Sequence, residues 1–318
     1  MKKFDVAALG ELLIDFTENG ISTQGNPVFE ANPGGAPCNV LAMLQKLGKK
    51  TAFIGKVGSD MFGSQLTETV KAAGIDVTGL VSDKSVSTTM AFVHTLPDGD
   101  REFSFARDPG ADMMLRKDEI DVDIVSSAKI FHFGTLSSTH EGVREATRYA
   151  IDIAKESDTL ISFDPNLRPP LWKSLDDAKK EIEYGLSKCD ILKISDNEIE
   201  FMTGSTDYDK AVRELMEKYN IKLAFATLGK KGSRAYFRDI KAKCDGYTVN
   251  TIETTGAGDT FCGSALNYVL EHDINVLTEN DLKALLAFAN AAAAIITTRR
   301  GALKVMPEKT EIFELLRR

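Results

Sequence analysis

The feature that most constrains this chain is a repeated alternation between short apolar runs and longer amphipathic stretches. Val6–Leu9, Thr51–Val57, Lys129–Phe133, Thr159–Phe163, Ile191–Ile194 and Leu223–Thr227 read as strands, several of them rich in Val, Ile and Phe. Between and beside them, Pro37–Leu47, Met61–Ala73, Glu141–Glu156, Ala178–Leu186 and Asp209–Tyr219 carry helical spacing. Strands that alternate with helices predict an α/β fold: a mostly parallel sheet with helices on both faces. Ligands of such sheets bind beyond the carboxyl ends of the strands, so polar motifs placed just after a strand are the first candidates for a site.

One stretch breaks the alternation. Thr88–Leu96 and Arg101–Arg107 are period-2 segments flanking Pro97-Asp98-Gly99-Asp100, and Asp-Gly between such segments predicts a hairpin. A hairpin projecting from an α/β body is either decoration or a cover that keeps water from a site. With 318 residues, 43% of them hydrophobic, the chain has material for a substantial core, and it contains no repeat or Pro/Gly/Ser linker. One main domain with a small β appendage is expected.

The net charge of −8 argues against nucleic acid or an anionic membrane as the main partner, yet permits phosphate binding by local glycines and cations. Cys38, Cys189, Cys244 and Cys262 lie far apart without zinc-like pairing, which predicts free thiols rather than disulfides or structural metal. Asp5 and Glu11 interrupt the apolar N-terminal residues, and no uncharged run approaches the roughly 18–20 residues that span a bilayer. A cytoplasmic protein is expected.

The chemistry concentrates in ETTGAGDTF, Glu253–Phe261. The following residues keep Phe261, Cys262, Ala265, Leu266, Val269 and Leu270 to one side of a helix, so Gly256, Ala257 and Gly258 fall at its N-terminus. The first N–H groups of a helix lack intrahelical acceptors, its dipole favours negative charge, and small side chains let a phosphate approach. Asp259, in the first turn, could take a proton from an attacking hydroxyl while those amides stabilise developing charge. Taken alone, the segment reads more simply as a helix start with a dipole-favoured Asp. Neither a GxxxxGK[ST] loop nor the protein-kinase motif set occurs, so phosphoryl transfer here would need a different cradle.

Other groups end strands. Asp15, in GELLID, could accept hydrogen bonds from vicinal hydroxyls or be a solvated turn residue. GGAPCN places Gly34, Gly35 and Asn39 before and within a helical stretch, as a ligand approach or as loop punctuation. Asp164, Asn166 and Arg168 follow TLISF in a loop stiffened by Pro165, Pro169 and Pro170. Glu198, in KISDNEIEF, could orient Mg²⁺ through water or be surface charge. TLGKKG (Thr227–Gly232) could flank a nucleotide or be a plain turn. His132 alternates with large apolar residues and reads as an interior histidine. The run 288–298, FANAAAAIITT, reads as a tightly packed helix or one wall of an adenine pocket.

The order and combination of these segments resemble the ribokinase-like, phosphofructokinase-B type carbohydrate kinases over essentially the whole chain. GGAPCN with Gly48 and Gly58 resembles that family's first signature, and ETTGAGDTF its second. GGAPCNV, REFSFARDPGADMML, SFDPNLRPPLW and KISDNEIEFMTG are most similar to segments of the fructokinase branch. The resemblance implies a doubly wound sheet in a single domain over 1–318, with a β-sheet lid formed by about 12–32 and 86–110. It implies transfer of the γ-phosphoryl group of ATP, with Mg²⁺, to the 6-hydroxyl of D-fructose. By the same resemblance Asp259 is the base, Gly256, Ala257 and Gly258 form the anion hole, and Asp15, Gly34, Gly35 and Asn39 bind sugar. Arg107 reaches in from the lid, and Asp164, Asn166 and Arg168 lie near sugar or phosphates. Glu198 matches the acidic member of a magnesium motif whose Asn is Ser195 here, while Thr227, Gly229, Gly232 and Asn290 border the nucleotide.

Glu253 stands where relatives carry an Asp that helps hold a monovalent cation, which speaks against activation by K⁺. Leu41 and Ser264 replace small residues of the two signatures, with an effect on packing expected. The rival readings are 2-keto-3-deoxygluconate kinase, a nucleoside or riboside kinase, and a non-catalytic sugar sensor on the same fold. Alternating lid strands with exposed apolar residues lead us to expect a homodimer paired through the lid.

Overall fold

The computed structural model describes residues 2–95 and 101–317; the expected turn at Pro97–Asp100 lies outside them. In chain order the strands are β1 (Phe4–Leu9), β2 (Leu13–Ile21), β3 (Pro27–Gly34), β4 (Thr51–Gly58), β5 (Asp76–Asp83), β6 (Met90–Thr95), β7 (Arg101–Ala106), β8 (Ala128–Gly134), β9 (Leu160–Asp164), β10 (Ile191–Ser195), β11 (Leu223–Thr227), β12 (Ser233–Phe237) and β13 (Ile240–Cys244). The helices are α1 (Ala36–Lys46), α2 (Met61–Ala72), α3 (Val122–Ser126), α4 (Glu141–Glu156), α5 (Leu175–Leu186), α6 (Asp196–Thr203), α7 (Tyr208–Tyr219), α8 (Ala257–Glu271), α9 (Glu279–Ile296) and α10 (Lys309–Leu316).

Among the described residues, nine strands form one sheet in the order β13-β12-β11-β10-β9-β8-β1-β4-β5. It is parallel from β11 to β5, and β12 and β13 extend it antiparallel at one edge. The alternating side chains of β1 explain the two layers. Val6 and Ala8 enter a core shared with α1, α2, α8, α9 and α10, while Ala7 and Leu9 enter one shared with α3 to α7. Burial on both faces is why the inner strands read as near-continuous apolar runs; all eight residues of β4 are buried.

The sequence pattern did not mark β5, β12 or β13. They lie towards the edges: β5 buries Gly79 alone, and β13 alternates Lys241 and Lys243 with Ile240 and Ala242. The run 288–298 belongs mostly to α9, which begins at Glu279 under a Thr278 cap and ends at Ile296. His132 is buried, shares a hydrogen bond with Ser162, and is held neutral by a pKa that burial lowers to about 3. The four cysteines are free.

A second, four-stranded sheet runs β3-β2-β6-β7; β2 and β6 are parallel and the other pairs antiparallel. The expected hairpin partners therefore pair, but the first begins at Met90. Thr88 is instead anchored to the main body: its N–H and hydroxyl each donate to the Asp60 carboxylate, 2.8 Å away, which also caps α2 through the Gly63 amide. No helix among the described residues is long and apolar enough to cross a membrane.

Candidate active site

The carboxyl ends of β1, β9 and β10, the start of α8 and the inner face of the second sheet enclose a cavity of about 780 Å³. Its centre is Asp259. Gly256 caps α8 in the left-handed conformation (φ 76°), and a Cβ there would lie 2.7 Å from the Ala302 Cβ. The Ala257 amide donates to the Thr254 carbonyl at 3.3 Å, whereas Gly256 and Gly258 present their backbone to the cavity in the turn where a helix has no acceptors of its own. Asp259 is half-buried beside them. Burial raises its pKa above the ordinary carboxylate value, against the opposing effects of a hydrogen bond from Asn39 and the charges of Lys193 and Arg168.

The sequence reading assigns Asn39 to sugar; the folded chain first gives it to the carboxylate. Its Nδ2 donates to Asp259 Oδ2 at 2.8 Å, and its buried Oδ1 has no partner. Asn39 sits in the first turn of α1, whose start is fixed by Glu11: Oε1 of Glu11 accepts from the Ala36 amide at 2.7 Å. Gly35 has φ 136°, and a Cβ on it would lie 2.3 Å from the Glu11 carbonyl oxygen. A Cβ on Gly34 would fall 2.3 Å from Asp15 Oδ2, so the paired glycines let the second sheet close onto α1. Asp15, Gly35, Asn39, Asn166, Arg168, Glu198, Gly256, Gly258 and Asp259 all face the cavity.

Asp164 lies just behind this wall. It accepts the Lys193 ammonium at 3.0 Å and the Asn166 amide at 3.1 Å, and burial pushes its pKa up to about 6. Asn166 takes positive φ (44°) to make that turn, a conformation Asn tolerates. Glu198 closes a capping box on Ser195 and accepts the Leu167 amide at 2.8 Å. Burial opposes its charge, yet Lys193 and these donors hold its pKa below the ordinary value.

The remaining candidate site residues lie outside the cavity lining. Arg107 does not reach the cavity. Its Nε and Nη2 both bond Asp112 Oδ2 (2.9 and 2.7 Å), Nη1 bonds Thr139 Oγ1, and Nη2 also meets the Leu136 carbonyl, because a buried guanidinium must be paired. Asn290 is likewise committed: Nδ2 donates to the Cys244 and Asp245 carbonyls and Oδ1 accepts from Ser233, so it fastens α9 to the β12–β13 edge. Thr227 ends β11, and Gly229 and Gly232 follow it, at the same end of the sheet but outside the cavity wall; a Cβ on Gly232 would lie 2.1 Å from the Cys244 oxygen.

Residues 3–309 match the family model of the pfkB family carbohydrate kinases. The chain belongs to that family. It is 41% identical over 314 residues to fructokinase-2 of Solanum lycopersicum, covering 98% of this chain and 96% of the relative. Among solved structures it is similar to fructokinase with bound ATP from Xylella fastidiosa (TM-score 0.90, 29% identity, 100% and 99% of the two chains covered). It is also similar to a double mutant of fructokinase from Vibrio cholerae O395 in a fructose-, ADP- and potassium-bound form (TM-score 0.87, 26% identity, 99% of each chain). The doubly wound sheet with its smaller β-sheet is the ribokinase-like arrangement of these kinases.

Sequence reasoning missed Lys193 and Glu11. For this pfkB-family chain the available signal was chemical: a lysine inside the parallel strand ILKIS, and a second carboxylate four residues before Asp15, both where burial is expected. Replacing Gly35 by Ala should lower stability by about 1–3 kcal/mol, from the strained φ and the clash with Glu11. Urea unfolding of the variant checks this, and an unchanged midpoint would contradict the close approach.

Proposed function

We propose that the chain is an ATP-dependent fructokinase, transferring the γ-phosphoryl group of MgATP to the 6-hydroxyl of D-fructose. The observation that carries this reading is Asp259, a half-buried carboxylate in the first turn of α8 that lines the cavity beside a glycine-built anion cradle. Similarity to fructokinases solved with ATP, and with fructose and ADP, supports the pairing of substrates.

In this reading Asp259 accepts the proton of the attacking hydroxyl. Its raised pKa makes it a stronger base than an exposed carboxylate, and the Asn39 Nδ2 contact aims it. The backbone amides of Gly256 and Gly258, with the α8 dipole, stabilise charge on the transferred group. Asp15, Gly35, Asn39 and Asn166 hold the sugar; the unpartnered Asn39 Oδ1 is an acceptor for one of its hydroxyls. Arg168 stands on the phosphate side. Gly34 acts by admitting Asp15, and Asp164 by holding Lys193. Thr227, Gly229 and Gly232 border the nucleotide, and Asn290 shapes that border through the Cys244 and Asp245 carbonyls. With Arg107 withdrawn to Asp112, the sugar end has little cationic surface for the carboxylate of a keto-deoxy acid, which favours a neutral hexose.

Residues 1–318 act as one domain, and the second sheet, about 12–32 and 86–110, is its lid, excluding water when substrates bind. Among the described residues no group of three His, Cys, Asp or Glu side chains could hold a metal. Glu198 would thus orient water around magnesium that is bound chiefly by phosphates, where the ion neutralises phosphate charge.

Asp259→Asn should bind fructose normally and lose kcat by about 10³-fold or more; near-normal turnover would refute the base. In the native protein kcat/KM is expected to fall as acid protonates Asp259, with the midpoint above the ordinary carboxylate value near 3.8, because burial raises it. A midpoint at or below that value would count against the assignment.

Glu253 accepts from the Gly301 amide (3.1 Å) and the Thr255 hydroxyl (2.5 Å), tying the two segments together through its own carboxylate. Turnover should therefore be the same in potassium and in tetramethylammonium buffers, and activation by potassium would overturn this reading. Ile21, Val28, Phe29 and Phe92 leave apolar surface on the lid, where a second copy would pair. Sedimentation should show a dimer; monomer at all concentrations would exclude it.

A further inference from the structure

Lys193 is out of place by the rules of a parallel sheet. It occupies the middle of β10, flanked by Leu192 and Ile194, and its side chain is only 8% exposed. On that strand Leu192 and Ile194 face one core and Ile191 the other, so Lys193 points to the side on which α8 packs. Burying an ammonium is costly, and a well-packed apolar side chain of similar volume would ordinarily serve the fold at least as well.

What surrounds the ammonium gives it a purpose. Nζ lies 3.0 Å from Asp164 Oδ2 and 3.1 Å from Oδ1. It also faces the cavity, and an ideal Cβ on Gly258 would stand 3.3 Å from it, so the ammonium sits against the backbone of the anion cradle. Asp259 is the next residue.

We propose that Lys193 is a working part of the transfer site: its ammonium, held by Asp164 against Gly258, supplies the fixed positive charge facing both the Asp259 carboxylate and the phosphoryl group transferred past it. The proposal deepens the kinase reading and rests on it. Two buried carboxylates, Asp164 and Glu198, and the half-buried Asp259 act on this one lysine. Although burial opposes the charge, together they keep Lys193 protonated. Arg168, in the loop after β9, also acts on Asp259 but is exposed, so its charge is more strongly screened by water. The Lys193 ammonium is in place before substrates arrive and needs no reorganisation as charge develops.

The test compares native protein with Lys193→Gln, which can still donate to Asp164 but carries no charge, and Lys193→Arg, which keeps the charge. Calorimetry would measure binding of MgADP alone and of MgADP with aluminium fluoride, a mimic of the phosphoryl group in flight. We expect the Gln variant to bind MgADP as the native protein does, to lose about a hundredfold in affinity for the fluoride complex, and to lose kcat with an unchanged fructose KM. Lys193→Arg should recover part of both losses. Equal loss of MgADP and fluoride-complex affinity, no loss of either, or failure of the Gln variant to fold by circular dichroism would each overturn the proposal by assigning Lys193 to the fold. Native protein that turns over no sugar would sink the kinase reading, while the fluoride comparison still decides the part played by Lys193.

Discussion

Two helix starts, more than two hundred residues apart in the chain, meet at one hydrogen bond, Asn39 Nδ2 to Asp259 Oδ2. The rest of the site depends on that contact. It requires α1 and α8 to pack closely, which Gly263 permits: a Cβ there would stand 2.7 Å from the Val40 carbonyl and 2.8 Å from the Met43 Cβ. It also requires α1 to begin at a fixed height, which Glu11 sets from the end of β1 through the Ala36 amide. The starts of α1 and α8 thereby deliver a carboxylate and its orienting amide to one point.

Around that point the balance of charge decides the chemistry. Burial raises the pKa of Asp164 and of Asp259, and a sheet interior alone would reject Lys193. Brought together they satisfy one another, leaving a carboxylate basic enough to take a proton and an anion cradle with a cation behind it. Glu198 and Asp112 show the same economy: each is buried, and each is held by donors that fix a loop, Leu167 in one case and Arg107 in the other.

Much of this was legible in the sequence because the inner strands are buried on both faces and so announce themselves as Val/Ile/Phe runs. Gly256 and Gly258 drew attention in the sequence because a helix start with small residues can admit a phosphate, and Gly34 and Gly35 because paired glycines permit a close approach, which here is that of Asp15 and Glu11. Strands β5 and β13 at the sheet's edges were not legible, since part of each faces water, and β12 was not because Ser233 and Arg234 break its short apolar run. Two side chains have partners that the sequence did not report. Arg107 and Asn290 are polar groups whose partners, Asp112 and the Cys244–Asp245 carbonyls, are fixed by tertiary packing that no local pattern reports. Lys193 was hidden for the converse reason, a charge inside an apolar run whose compensation comes from another strand.

The central claim is that this arrangement moves a phosphoryl group from ATP to the 6-hydroxyl of fructose with Asp259 as base. The most direct measurement is phosphorus NMR of ATP and fructose incubated with purified native protein and with Asp259→Asn. A single new phosphomonoester at the fructose 6-position, formed by the native protein and not by the variant, is the predicted result. Release of inorganic phosphate without a sugar phosphate, or phosphorylation at another hydroxyl, would contradict the account.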